Sequence, residues 1–290
     1  MKGLVLAGGT GSRMFPVTLG INKHLLPVFD KPMIFYPISV LMLAEIREIG
    51  IVCREIDRPA FERLLGDGSN LGLKIEYINQ SRAAGISDGI KQASAFLSDS
   101  AFCLILGDNF FFGPGLTPRL KNAKASFDKA TAFAYEVKNP SSFGVISYNQ
   151  FNQVDSIEEK PTEPKSNTVA TGLYMFNKNA IDHVKQLNTS ARGELEITDL
   201  LNVYIDRNEL SVEVLGRGYA WLDMGTSESL MEASVFIQSI EKRQGFKIAC
   251  LEEIAFQKGW IPASMLESAS VKYENTTYGE YLSKVLSDLK

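Results

Sequence analysis

The chain opens on a short apolar run, Leu4-Val5-Leu6-Ala7, that breaks into Gly8-Gly9-Thr10-Gly11. Beyond it, strand-length apolar or β-branched runs alternate with longer segments whose apolar residues recur at helical spacing. Ile38, Leu41, Ala44, Ile46 and Ile49 predict a helix over 35–49, and Gly50-Ile51-Val52-Cys53 restarts a strand. A proline near its start marks a short helix over 59–65. A strand over 75–78, a helix over 85–97 and a buried strand over 102–106 follow. After about residue 125 the texture changes: runs over 130–137, 144–148, 154–158 and 172–176 read as strands with polar turns between them. The segment 195–205 reads as helix, 210–215 as strand and 227–240 as helix, with Ser227 a candidate N-cap. The last fifty residues read as mainly helical. Alternating strands and helices imply a mostly parallel sheet covered on both faces. In such sheets ligands sit beyond the carboxyl ends of the strands. Leu6-Ala7-Gly8 and Leu106-Gly107-Asp108 are both strand ends, so they can face one site.

The loop after the first strand has the chemistry of an anion site. Glycines let the backbone approach a ligand closely, and successive free N–H groups form an anion-binding concavity. Arg13 adds a planar fork and Lys23 a point charge. A tight turn would account for the glycines alone, but a turn needs neither cation. Two familiar glycine loops do not fit. The NTPase phosphate loop requires Gly-Lys-Ser/Thr at its end, and no lysine follows Gly9 or Gly11. The dinucleotide fingerprint begun at Gly9 puts Met14 where a small residue is needed.

Composition narrows the partners. A net charge of −4 over 290 residues gives no electrostatic footprint for nucleic acid. A cationic pocket in an acidic protein suits a small anion instead. Cys53, Cys103 and Cys250 form no C-x-x-C pair, so neither a zinc site nor a disulfide framework is expected; Cys103 reads as a core residue. The apolar start runs straight into the glycine loop, unlike a signal peptide, and no run approaches the roughly 18 apolar residues of a membrane span. The expectation is a cytoplasmic protein with no membrane partner.

The stretch Leu6 through Pro16, then Asn22-Lys23-His24-Leu25-Leu26-Pro27 and Lys31-Pro32-Met33-Ile34, resembles the signature of the sugar-1-phosphate nucleotidylyltransferases. The likeness runs through almost the whole chain. It implies a Rossmann-like three-layer α/β/α body with a mixed, mostly parallel central sheet, extra sugar-binding strands and a C-terminal helical region. The implied division is 1–240, with a nucleotide-binding part over about 1–125 and a sugar-binding part over about 126–240, followed by 241–290. The implied reaction is transfer of a thymidylyl group from dTTP to glucose 1-phosphate, giving dTDP-glucose and pyrophosphate, a first step toward dTDP-linked deoxysugars. A uridylyltransferase on the same scaffold and a weakly active regulatory paralogue stand as alternatives.

The resemblance also assigns roles. Leu6, Ala7, Gly8, Gly9, Gly11, Arg13 and Lys23 would bind the nucleotide, with Gln80 and Gly85 at the base. Gln80 can donate and accept, so it can read a pyrimidine edge. Asp108 and Asp223 each end an apolar run, and two carboxylates suit Mg²⁺, which usually takes one or two of them plus substrate phosphates. Their spacing does not pair them; the resemblance does. Ser156-Ile157-Glu158-Glu159-Lys160-Pro161 would pass for a solvated charged turn, but it matches the family's E-K-P motif, with Lys160 on the sugar phosphate and Glu159 on sugar hydroxyls. Arg192, in Ala191-Arg192-Gly193-Glu194-Leu195-Glu196, would clamp the same phosphate. Asn109, Gly144 and Ala170, the last in an Ala170-Thr171-Gly172 turn, complete the sugar-phosphate set. Arg13, Lys23, Asp108, Lys160, Arg192 and Asp223 are the expected catalytic set. His24 reads as structural or as lining the base pocket, and His183 as solvated. The chain departs from the family at Asp88 and Gly89, where a neutral amide and alanine are usual, and at Gln257, where arginine is. The C-terminal part implies a homotetramer interface and an allosteric effector site.

Overall fold

The computed structural model describes residues 1–126 and 128–288. The strands are β1 (Lys2–Leu6), β2 (Pro27–Val28), β3 (Lys31–Pro32), β4 (Glu48–Cys53), β5 (Lys74–Asn79), β6 (Phe102–Leu106), β7 (Asn109–Phe112), β8 (Ala130–Glu136), β9 (Gly144–Tyr148), β10 (Val154–Glu159), β11 (Thr168–Phe176), β12 (Leu210–Leu215) and β13 (Ala220–Asp223). The helices are α1 (Phe35–Leu43), α2 (Arg58–Leu65), α3 (Ile86–Gln92), α4 (Ser94–Leu97), α5 (Leu116–Ala125), α6 (Ala180–Gln186), α7 (Ile197–Asp206), α8 (Ser227–Gln244), α9 (Leu251–Gln257), α10 (Ala263–Lys272) and α11 (Thr277–Ser287).

Nine strands form one mixed sheet in the order β10-β9-β11-β6-β1-β4-β5, with β8 beside β11 and β12 beside β8. The half that carries the glycine loop is parallel: β1 pairs with β4 on one side and β6 on the other. From β11 to β10 the pairing is antiparallel. Successive side chains of a strand face opposite layers. Thus Val5 packs with α1, α2 and α9 through Ile38, Leu41, Phe61 and Leu251. Leu4 packs on the other face with α3, α4, α6 and α7 through Ile90, Leu97, Val184 and Leu201. This is the three-layer arrangement expected from the alternation of elements.

Several expectations are corrected locally. The helix expected over 35–49 ends at Leu43, because Glu45 takes a left-handed φ of 58° and Ile46 N–H folds back onto Leu41 O at 3.0 Å. The remaining apolar positions belong to that turn and to β4. The helix expected over 85–97 is two helices meeting at Ala93. The N-cap of α8 is Thr226, not Ser227; its hydroxyl accepts from Ser229 N–H at 3.2 Å. Ala170-Thr171-Gly172 is no turn but a register shift inside β11, where β11 leaves one partner register and takes up another. His183 is buried rather than solvated; it stands edge-on to Tyr204 at 5.2 Å, and burial lowers its pKa.

One short pairing was not anticipated. β7 and β13 form a separate antiparallel ribbon in which Asp223 lies opposite Asn109. The ribbon is held against α8 by Phe110, Phe112, Phe236 and Met224. The C-terminal helices α9, α10 and α11 pack on one another, and α9 lies against α1.

Candidate active site

Strand β1 lies where the strand order reverses, since β4 and β5 continue on one side and β6 stands on the other. A crevice beyond the carboxyl ends at such a switch point is the expected ligand site of an α/β sheet. The glycine loop leaves β1 here and Gly107-Asp108 leaves β6; Gly107 N–H donates to Leu6 O at 2.9 Å. Gly11 adopts φ 65°, and a Cβ there would meet Thr18 and Lys23 within 3.3 Å, so glycine is required both by conformation and by space. Asn22 ties the loop down: its side chain donates to Ala7 O at 3.2 Å and to Asp57 at 2.8 Å.

Two adjoining cavities open at this edge. The first, of about 210 Å³, is lined by Leu6, Gly8, Gly9, Lys23, His24, Gln80, Gly85 and Asp108. The second, of about 230 Å³, is lined by Arg13, Asp108, Asn109, Gly144, Glu159, Lys160, Ala170 and Asp223. They share Ile86, Leu106 and Asp108, so Asp108 stands at the junction. A wider groove of about 850 Å³, bordered by Phe15, Leu19, Ile21 and Ile56, contains none of the residues given a catalytic or binding role from the sequence, though Phe15, Asn22, Leu25 and Pro32 of the signature line it.

The junction is built from side chains that hold one another. Lys23 donates to Asp108 Oδ2, a buried ion pair. Asn109 donates to Asp108 Oδ1 at 3.0 Å, while its own oxygen accepts from Gly172 N–H at 3.1 Å and Trp221 Nε1 at 2.7 Å. The Asn109 side chain is therefore engaged on several sides. Met224 N–H donates to Asp108 O at 2.9 Å, which brings the Asp223 segment beside Asp108. Under Arg13 and Asp223 lies Gly225; a Cβ there would stand 2.8 Å from Arg13 Nη2 and 3.1 Å from Asp223 Oδ2.

The electrostatics are uneven. Burial pushes the Asp108 carboxyl up, but the Lys23 charge and the hydrogen bonds from Lys23 and Asn109 together outweigh it and hold Asp108 well below the usual carboxylate range. Burial and then the neighbouring Asp108 charge push Asp223 up to about 6, against the pull of Lys23, Arg13 and Lys160. His24 is lowered to about 3 by burial and by the Lys23 charge. It is neutral at physiological pH, and its Nδ1 lies 2.8 Å from Asn22 Oδ1. Asp108 is paired with Lys23, whereas among the described residues Asp223 takes part in no ion pair within 4 Å. Among the described residues no group of three or more metal-ligating side chains occurs. Two neighbouring hard carboxylates, one of them outside any ion pair, fit Mg²⁺ completed by substrate phosphates and water.

The outer residues are arranged differently from expectation. Lys160, at the end of β10, adopts φ 47° and lies 3.4 Å from Glu159. Arg192 faces carboxylates: it bonds Glu159 and Glu194 at 3.2 Å each and approaches Glu196 at 3.5 Å. It stands at the rim and is not part of the second cavity's lining. At the first cavity, Gly85 packs against the chain: a Cβ would meet Leu195 O at 2.4 Å. Asp88 is buried and accepts from Gln80 Nε2 at 2.9 Å and Gln92 Nε2 at 3.2 Å. Gly89 lets Leu6 approach, since a Cβ there would stand 2.8 Å from Leu6 Cδ2. From the sequence, Trp221, Gly225 and Asn22 were assigned no role. For Asn22 a local signal exists: an asparagine immediately before Lys23-His24 is a good N-cap for the short helical turn that follows.

This fold and site define a nucleotidyl transferase: residues 2–240 match that family, and the chain belongs to it. Over 286 residues the chain is 49% identical to a glucose-1-phosphate thymidylyltransferase of Neisseria meningitidis, covering 99% of each. A solved Bacillus anthracis structure superposes with a TM-score of 0.76 at 36% identity, covering 81% of this chain and 94% of that one. A UDP-glucose pyrophosphorylase solved with UDP-glucose shares the fold at 22% identity, with a TM-score of 0.73 over 84% of this chain and 99% of that one.

Proposed function

We infer that the chain transfers a thymidylyl group from dTTP to glucose 1-phosphate, releasing pyrophosphate. The observation that carries this is the convergence of Arg13, Lys23, Asp108 and Asp223 on one crevice beside a Gln80-lined cavity. The 49% identity to a thymidylyltransferase over the full length supports the choice of nucleotide and sugar. The nucleophile is a phosphate oxygen that is already an anion, so no strong base and no covalent intermediate are needed. Catalysis reduces to positioning and charge neutralisation.

The first cavity would take the nucleoside, and the Gly8–Gly11 loop with Arg13 the β- and γ-phosphates. Lys23 would offset charge near the α-phosphate. Asp108 and Asp223 would hold the Mg²⁺, which when bound supplies charge neutralisation at the phosphates. The second cavity would take the sugar phosphate, with Gly144, Glu159 and Ala170 at the sugar and Lys160 at its phosphate. Arg192 would reach that phosphate by leaving its rim carboxylates. Asn109 acts by fixing Asp108 and Gly172. Residues 1–240 would form the catalytic body and 241–290 the oligomer and effector part, in a homotetramer. No described helix is long and apolar enough to cross a membrane.

The test is pyrophosphate release with glucose 1-phosphate and either dTTP or UTP, with dTDP-glucose identified by mass. Turnover is expected with dTTP; its absence, or a clear preference for UTP, would overturn the reading. Sedimentation of the purified chain checks the tetramer.

A further inference from the structure

The amide of Gln80 is held in a single orientation, and what holds it is the buried carboxylate of Asp88. Amide oxygen and nitrogen are interchangeable in shape, so their partners decide which way a glutamine points. Gln80 and Asp88 are 6% and 8% exposed, so few competing partners reach them. A carboxylate only accepts. Asp88 Oδ2 takes the Gln80 Nε2 hydrogen at 2.9 Å, and Oδ1 takes one from Gln92 Nε2 at 3.2 Å. Gln80 Oε1 is consequently turned away from Asp88 and lies over the glycine loop, 2.3 Å from where a Cβ of Gly8 would stand. Both Gly8 and Gln80 line the first cavity.

We propose that Asp88 is a positioning residue for base selection: by fixing Gln80 with its oxygen toward the cavity, it favours nucleotides whose ring nitrogen carries a hydrogen and disfavours those whose ring nitrogen is an acceptor. Thymine and uracil present N3–H as a donor, whereas cytosine presents a bare N3. A site that offers an acceptor pairs with the first and faces the second with a like dipole. With a neutral amide at position 88 either orientation of Gln80 is satisfied, and this constraint is lost. The inference rests on the nucleotidyl-transfer reading above.

The experiment is steady-state pyrophosphate release at saturating glucose 1-phosphate with dTTP and with dCTP. The wild-type chain is compared with Asp88→Asn, Asp88→Leu, Gln80→Glu and the Gln80→Glu/Asp88→Asn double variant. In Asp88→Asn the amide can turn either its oxygen or its NH₂ toward Gln80, with the exposed Gln92 reorienting to match, so Gln80 is no longer held in one orientation. The dTTP-to-dCTP ratio of kcat/KM is expected to fall about tenfold or more, through KM rather than kcat. Asp88→Leu removes the acceptor and should lower the same ratio; it also serves if the Asn variant does not fold. Gln80→Glu sets two carboxylates against each other and should lose dTTP use. Adding Asp88→Asn restores a donor facing an acceptor and leaves the second oxygen of the introduced carboxylate toward the cavity, so dTTP preference should return. An unmoved ratio in folded Asp88→Asn or Asp88→Leu, or no rescue of Gln80→Glu, overturns the proposal while leaving the activity standing. A wild-type chain inactive with dTTP overturns both.

Discussion

Lys23 and Asp108 meet with side chains only 8% and 13% exposed, whereas Lys160 and Arg192, at the other end of the crevice, stand 44% and 41% exposed. The inner pair sits where β1 and β6 end, braced by Asn109 and by the backbone of Met224. The outer pair sits on the loops after β10 and before α7 and is occupied with Glu159, Glu194 and Glu196. Buried charges interact strongly and are costly to leave alone. Exposed pairs are worth little and exchange partners readily. On the proposed reading, the inner end would meet polyphosphate and a cation with its groups already in place, while the outer end would trade its carboxylates for an incoming sugar phosphate.

The contrast can be broken at four places, in falling order of expected effect. Asp223→Asn should cut kcat by about 10³-fold or more, because a carboxylate toward the cation is lost. The melting temperature without divalent ions should stay level or rise, since a buried ionisable group whose carboxyl is pushed up to about 6 is removed. Turnover within a few-fold of wild type would remove Asp223 from the metal assignment. Lys23→Met leaves Asp108 charged, buried and without its ammonium, and should cost roughly 3 kcal/mol or more of stability in urea unfolding. A loss under about 1 kcal/mol would mean that the inner pair behaves like a surface one.

At the outer end, Lys160→Met should raise KM for glucose 1-phosphate by about 30-fold while leaving the unfolding midpoint unchanged. A stability loss as large as that of Lys23→Met would erase the distinction between the two ends. The smallest effect is a pH dependence. Burial holds His24 at about 3 in the folded state against 6.5 unfolded, so its contribution is full above pH 6.5 and is lost as pH falls toward 3. Asp223 works with the opposite sign: raised to about 6 from 3.8, it contributes below 3.8 and loses that contribution as pH rises through 6. The difference between wild type and His24→Gln isolates the histidine. At pH 5.5 the variant should recover roughly 1.4 kcal/mol relative to its offset at pH 8, and a pH-independent difference would show that His24 can charge in place.

The parallel half of the fold was legible because its signals are local. The apolar run of β1, the glycines behind it and the strand before Asp108 each lie within a few residues, and Gly11 explains itself by its left-handed φ. The ends of elements were less legible. Residues 44–49 continue a helical periodicity, yet Glu45 turns left-handed and the same apolar side chains serve β4. His183 looked solvated on an amphipathic segment, but Tyr204 of another helix covers it. The apolar run that ends at Asp223 was visible, but its pairing with β7 was not, because four-residue strands carry almost no pattern that names a partner.

By itself the sequence determined which chemistry the chain holds: a glycine loop followed by two cations, two carboxylates at the ends of apolar runs, and a charged motif after a strand. Those are properties of residue type and near neighbours. Tertiary structure decided who meets whom. It placed Asp223 across from Asn109 and next to Asp108, set Lys23 against Asp108 and turned Arg192 toward the rim carboxylates. It also aimed the Gln80 amide through Asp88. The reason is that a carboxylate's charge state and an amide's direction are set by groups within a few ångströms, and here most of those groups come from distant parts of the chain.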